Sequence, residues 1–230
     1  IMSSDWSSDV CSSDLLELTL SRGVDPRTGV RVGLDLGDPT SWDGFPALME
    51  AFRRQLAHLI DVKIRGNNVI ERIWAEHIPT PFLSLLIDDC IQRGKDYHDG
   101  GARYNTSYIQ GVGLGSITDA LTALKVQVME EGAVSMKDLL AALRGDFRGA
   151  EDLRLILLER TPKYGNDHDV ADHVMREVFE AYFQAVDGRP NTRGGTYRIN
   201  LLPTTVHIYF GSVVGATPDG RRSGRPLSEG

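Results

Sequence analysis

The strongest constraint on the fold is a stripe of apolar residues with helical spacing. Phe45, Leu48, Met49, Phe52, Leu56 and Leu59 recur at three- and four-residue intervals, which gathers them on one face of a helix but scatters them over both faces of a strand. Ser41 or Asp43 can cap that helix, which starts near Pro46. The pattern continues more weakly through Val69, Ile70, Ile73 and Trp74 until Pro79 ends it. Other helices announce themselves at their ends. LELTLSRG reads as a short helix closed by Gly23, followed by a turn-rich connector through Pro39. PFLSLLIDDCIQR reads as one helix with Thr80 as N-cap and Gly94 just past its end. Ser116-Ile-Thr-Asp119 and Ser135-Met-Lys-Asp138 have the capping spacing with Asp in place of Glu, predicting a helix after each. Two more are expected from about Glu151 and over 167–186, the last stopped by Asp187-Gly188-Arg189-Pro190.

Beyond that point the period changes. Tyr197-Arg-Ile-Asn-Leu-Leu and Val206-His-Ile-Tyr-Phe carry the β-branched and aromatic content and the short length of buried strands. Helices separated by strand-like apolar runs predict an α/β chain, a sheet covered by helices as in a barrel or a doubly wound fold. The first fifteen residues stand apart: one Ser-Ser-Asp tripeptide recurs three times with no hydrophobic period. The string from Asp5 to Leu15 resembles a sequencing-adapter read translated in one frame. A disordered polar tail is the other reading, and both place the fold in 16–230. A net charge of −7 argues against a nucleic-acid or anionic-membrane surface. No apolar run approaches the ~20 residues that span a bilayer. Cys11 and Cys90 form neither a disulfide framework nor a metal motif. Together these point to a cytoplasmic protein whose partner is a small molecule or another protein.

Few clusters read directly as chemistry. Gly111-Val-Gly-Leu-Gly115 lacks the spacing of a dinucleotide fingerprint and the lysine of a P-loop, so its glycines are read as close packing between a strand end and a helix start. His168 and His173 are five apart, on different faces of a helix, and no metal site is expected. Asp88-Asp89 and Asp167-His168-Asp169 suit solvated or capping roles. His207 sits inside an apolar run, where its ring is either satisfied within the core or turned into a pocket. Arg103, Tyr104 and Asn105, and Arg221 within Asp219-Gly-Arg-Arg222, combine tight turns with arginines. They could bind an anion or tie a loop to a neighbouring carboxylate, and spacing alone does not choose.

Three long stretches carry a resemblance: GGARYNTSYIQGVGLGSITDALTALK (100–125), EDLRLILLERTPKYGNDHDVAD (151–172) and PTTVHIYFGSVVGATPDGRRSGRPLSEG (203–230). In order and spacing they are similar to the large subunit of glycyl radical enzymes, across almost all of 16–230. The resemblance implies a partial ten-stranded α/β barrel, helix-rich in this slice. YNTSYIQGVGLGSITD and GRPNTRGGTYRINLLPTT look most like the branch that dehydrates trans-4-hydroxy-L-proline. Formate acetyltransferases, glycerol or propanediol dehydratases and choline lyases share the scaffold and are the alternatives. A non-catalytic α/β binding module is the reading from another class. The family keeps a radical on a glycine near its C-terminus, installed by an S-adenosylmethionine iron–sulfur activating enzyme, and passes it to a cysteine in a GCxE-type motif. Neither motif is found in this sequence, so the expectation is an internal fragment, inactive alone, with no catalytic residue assignable, drawn from an anaerobic homodimer. The substrate pocket is expected along the run after Pro203. Alternation along a strand would put Thr205, His207 and Tyr209 on one inward face, with Thr204 at the entrance.

Overall fold

A computed structural model describes residues 9–201 and 205–228. The elements in chain order are β1 (Asp9–Cys11), α1 (Ser12–Leu20), α2 (Gly44–His77), α3 (Pro81–Leu86), α4 (Cys90–Arg93), β2 (Ser107–Val112), α5 (Leu114–Ala123), α6 (Met136–Arg144), α7 (Glu151–Glu159), α8 (Asp169–Val186), β3 (Tyr197–Asn200) and α9 (Val206–Val213). The chain divides into two compact units. One holds 1–10, 59–110 and 183–201, the other 11–58, 111–182 and 202–230.

The first unit is organised by a parallel strand pair. β2 and β3 run side by side from Ser107↔Tyr197 to Gln110↔Asn200, and the sheet order is β1-β2-β3. Parallel neighbours need a long crossover, and here α5 to α8 supply it. Ile109 and Tyr197 are fully buried. The single helix expected after Thr80 is broken in two. Asp89 adopts a left-handed backbone (φ 76°) between α3 and α4, a conformation that aspartate tolerates better than most residues. The Asp89 carboxylate accepts from Arg103 Nη2 at 2.8 Å and Nε at 3.3 Å, which pins the break. The Thr80 side chain caps nothing. Instead Asp96 accepts from the Thr80 N–H at 2.9 Å and the Ser84 hydroxyl at 2.7 Å. Gly94 does sit past the end of α4 in the left-handed region, as its position predicts.

The second unit carries most of the predicted helical core. Leu48, Met49, Phe52 and Leu56 are buried along α2, as the stripe requires. α1 begins at Ser12, and Leu15 and Leu16 are buried. The end of the Ser/Asp run supplies the first turn of this helix, whose leucines enter the core. Ser135 caps α6, its Oγ accepting the Asp138 N–H at 3.1 Å. Ser116 does not cap α5. The helix already begins at Leu114, because Gly113 (φ 76°) turns the chain straight out of β2 and its carbonyl accepts the Ile117 N–H at 2.9 Å. Ser116 is buried inside the helix, where its Oγ accepts the Ser228 N–H at 2.7 Å. A Cβ on Gly115 would lie 3.3 Å from Ser228 Cβ, so the glycine permits that approach.

The clearest departure from the sequence reading is the run Val206-His-Ile-Tyr-Phe, which is the first part of helix α9 and not a strand. A short apolar run cannot be assigned by period alone, and tertiary partners outweigh its β-rich composition. Those partners are the side chain of Arg221 and the 225–227 segment, described below.

Candidate functional site

In parallel α/β arrangements ligands collect beyond the carboxyl ends of the strands. In the first unit that end is formed by Gln110 on β2 and Asn200 on β3, which are register partners. The opposite end is locked by a polar framework on the hairpin before β3. Glu71, on α2, accepts from the Ser107 hydroxyl, from the Thr192 N–H at 3.2 Å and from the Thr192 hydroxyl at 2.8 Å. Arg193 stands 3.6 Å from Glu71, donates to Thr106 O and Ser107 Oγ at 3.1 Å, and lies over the Tyr97 ring. Asn191 donates to Ser107 Oγ at 2.9 Å, and its Oδ1 accepts the Gly195 N–H at 2.8 Å. Gly195 is obligatory there, since a Cβ would fall 2.0 Å from Asn105 O. Burial, then the Glu71 charge, pushes the Tyr197 hydroxyl well above its ordinary range, so it stays protonated and donates to Asn68 Oδ1 at 3.0 Å.

Arg103, Tyr104 and Asn105 form the approach to β2. Arg103 ties that loop to Asp89 and reaches Asp88 at 3.4 Å, while the Asn105 amide donates to Gly100 O and Ala102 O at 3.2 and 2.9 Å. Tyr104 is largely exposed. Cys90, at the start of α4, is 2% exposed and enclosed by core, which offers a substrate no access to its thiol.

In the second unit Arg221 acts as a clasp on α9. Its guanidinium donates to the carbonyls of Gly211, Val214, Gly215, Arg222 and Arg225, so the last turn of the helix and the turn that follows share one donor group. The Leu227 N–H adds a bond to His207 O at 3.3 Å. Gly211 lets this strap lie close, since a Cβ would sit 2.4 Å from Arg225 O. Asp219 anchors the turn by accepting from the Thr217 hydroxyl and the Arg221 N–H.

The helical form of α9 rearranges the expected pocket residues. Thr204 lies outside the described residues. Thr205 stands exposed at the helix start and Tyr209 is 54% exposed one turn on. At roughly 100° per residue these two share a face, and His207, half-buried, is turned about 200° from Thr205. The strand alternation that grouped all three is thereby overturned.

Burial raises several carboxyls in this unit, Asp14 among them. Burial first, and Asp14 second, raise Glu17 to about 7, and its Oε1 accepts the Gly215 N–H at 3.2 Å. Burial raises Asp119 to about 6, where it accepts the Tyr164 N–H at 2.8 Å. Sequence reading missed Glu71, Arg193 and Glu17 as individuals. The glycine pair after Arg193 was the available signal for the first two, and nothing local marks Glu17. Among the described residues no three His, Cys, Asp or Glu side chains converge as a metal site would need, and no helix is long and apolar enough to cross a membrane.

The chain spans little more than a quarter of the length of the proteins it matches. Residues 11–211 match the family described as pyruvate formate lyase-like. The chain is 52% identical over 216 residues to the trans-4-hydroxy-L-proline dehydratase of Clostridioides difficile, covering 94% of this chain and 27% of that protein. The solved hydroxyproline dehydratase from the same organism, with trans-4-hydroxy-L-proline bound, superposes with a TM-score of 0.93 at 49% identity, over 97% of this chain and 29% of that one. The glycerol-bound B12-independent glycerol dehydratase of Clostridium butyricum gives a TM-score of 0.92 at 36% identity, over 98% and 28%.

Proposed function

This chain belongs to the pyruvate formate lyase-like family of glycyl radical enzymes, and from that premise we propose that it is part of the catalytic domain of a dehydratase acting on trans-4-hydroxy-L-proline. The observation that carries the reading is the gap in identity. Over the superposed structures the chain shares 49% with the hydroxyproline enzyme and 36% with the glycerol enzyme, although both fit its backbone almost equally well. Fold similarity this even does not discriminate substrates, so the sequence difference does.

A glycyl radical, where present, would supply, through a cysteine thiyl radical, hydrogen abstraction from a substrate carbon. This chain's contribution is the wall around that event: a site that holds one substrate bond in reach and keeps water away. The proposed wall is the first turn of α9, with Thr205 and Tyr209 toward the substrate and His207 on the far side, where its carbonyl takes the Leu227 N–H; Thr204, expected beside them, lies outside the described residues. Hydroxyl-bearing side chains suit a substrate with hydroxyl, amine and carboxylate groups, because a site built to bond them rejects analogues that lack them. The thiol donor and the radical glycine are proposed to come from elsewhere in a longer polypeptide, because neither sequence motif occurs here and Cys90 is enclosed in the core. A ten-stranded barrel completed by that polypeptide, activation by an S-adenosylmethionine iron–sulfur enzyme, a homodimer and a cytoplasmic setting complete the proposal.

The second reading is the same scaffold with glycerol or another diol as substrate, which the 36% identity to the glycerol-bound enzyme keeps in view. Expressing the full-length gene with its activating enzyme under anaerobic conditions separates the two. Consumption of trans-4-hydroxy-L-proline with no turnover of glycerol or 1,2-propanediol is expected. Turnover of a diol with hydroxyproline untouched refutes the assignment.

A further inference from the structure

We propose that the cavity between α7 and the turn after Asp219 is a binding site for a small oxyanion, a phosphate or carboxylate, received by the guanidinium groups of Arg154, Arg222 and Arg225. The cavity holds about 430 Å³ and is lined by four arginines, Arg154, Arg221, Arg222 and Arg225, against one acid, Asp219. That local excess of positive charge stands out in a chain of net charge −7 and focuses an attractive field for anions. Two of the five charges are already committed. Arg221 is spent on backbone carbonyls, and Asp219 faces the Thr217 hydroxyl and the Arg221 N–H.

The remaining geometry shows how an oxyanion would be held. Glu151, the first residue of α7, presents one carboxylate oxygen to Arg154 (Nε 2.8 Å, Nη2 2.6 Å) and the other to Arg222 Nη2 at 2.6 Å. Its carboxylate is thus clamped between two guanidinium forks, the arrangement by which arginine recognises carboxylate and phosphate. Arg154 also donates to Gly220 O at 3.3 Å, which fixes its direction. Arg225 lines the same cavity and has no ion pair among the described residues. The Glu151 side chain is 47% exposed, so it can leave the clamp for solvent, and an incoming dianion gains Arg225 as a third donor group. Glu151 is in this sense the site's own placeholder. The same chemistry could come from a free small anion or from an acidic side chain elsewhere in a longer polypeptide, since the relatives are far longer than this chain.

Calorimetric titration of inorganic phosphate into this chain and into the full-length protein tests the site. Saturable, salt-sensitive binding is expected, weakened at least about tenfold by Arg222→Gln with Arg225→Gln and little changed by Arg148→Gln, an exposed arginine outside the cavity. Glu151→Gln should tighten binding several-fold by removing the competitor, whereas Asp152→Asn deletes the same charge one residue away and should not. Binding by both polypeptides identifies a free anion as the ligand. Binding by this chain alone, with none in the full-length protein, identifies an internal acid as the occupant. Absence of saturable binding in both, equal weakening by Arg148→Gln, or equal tightening by Asp152→Asn overturns the proposal.

Discussion

Replacing Arg221 with alanine should destabilise the second unit more than removal of any single ion pair at its surface. Five backbone carbonyls depend on this guanidinium. Two of the bonds are long, at 3.3 Å to Gly211 O and Val214 O, and contribute little. The other three are charge-assisted and worth about 1–1.5 kcal/mol each, because a deleted partner leaves an acceptor with its desolvation cost unrepaid. The loss is therefore about 3–5 kcal/mol, out of a total stability of roughly 5–15 kcal/mol for an ordinary domain. Urea unfolding measures the total, and hydrogen exchange at the amides of 210–214 locates it, since the last turn of α9 should open first. Arg221→Lys is the control for charge. One ammonium offers three donors from a single point and cannot span five carbonyls, so it should recover less than half of the loss. A loss below about 1 kcal/mol for the alanine variant, or full recovery by lysine, would refute the clasp.

Three further outcomes follow from the same structure. Glu17 is raised from 4.5 to about 7 in the folded chain, so its contribution is complete below pH 4.5 and fades as pH rises toward 7. Glu17→Gln should flatten that part of the stability profile in urea titrations at pH 5 and 8, and an unchanged slope would contradict it. Arg193→Ala strands Glu71 in a site where both partners are mostly buried (13% and 17% exposed). It should cost about 3–5 kcal/mol, while Glu71→Gln with Arg193→Met together should cost clearly less by the same measurement. In the full-length enzyme Thr205→Val should raise KM for hydroxyproline about tenfold with little change in melting temperature, and His207→Gln should do the reverse. If the two effects are exchanged, the face assignment on α9 is wrong.

What the sequence disclosed and what it hid divide along a physical line. The α2 stripe and the Ser135 cap were legible because each rests on local rules of spacing or capping, whereas Ser116 was misread as a cap because Gly113 starts α5 ahead of it. The single helix after Thr80 was misread because its break is enforced by Arg103, fourteen residues from Asp89. α9 was misread as a strand because its composition favours β structure while Arg221 and the 225–227 strap, distant from its first turn in sequence, hold it helical. The expected pocket residues inherited that error: a period of two placed Thr205, His207 and Tyr209 together, and a period of 3.6 turns His207 away from the other two. The Glu71–Arg193 framework escaped notice for the same reason, since its members are brought together across more than a hundred residues. Substrate class was legible only through resemblance, because the local rules that mark a helix end do not mark a hydroxyproline pocket.

The parallel pairing of β2 with β3 also governs how this polypeptide can be made. Ser107 meets Tyr197, ninety residues later, so synthesis must run on for about 5–18 s at ordinary rates before its partner exists. Contacts that close such loops form late and slow the overall reaction. During that interval β2 offers its open edge, with Tyr108 half exposed even in the finished fold, to any other nascent strand. Yield at high expression rates should therefore be set by the interval between these two strands, and slowing translation after Val112 should hurt folding more than slowing it after Asn200.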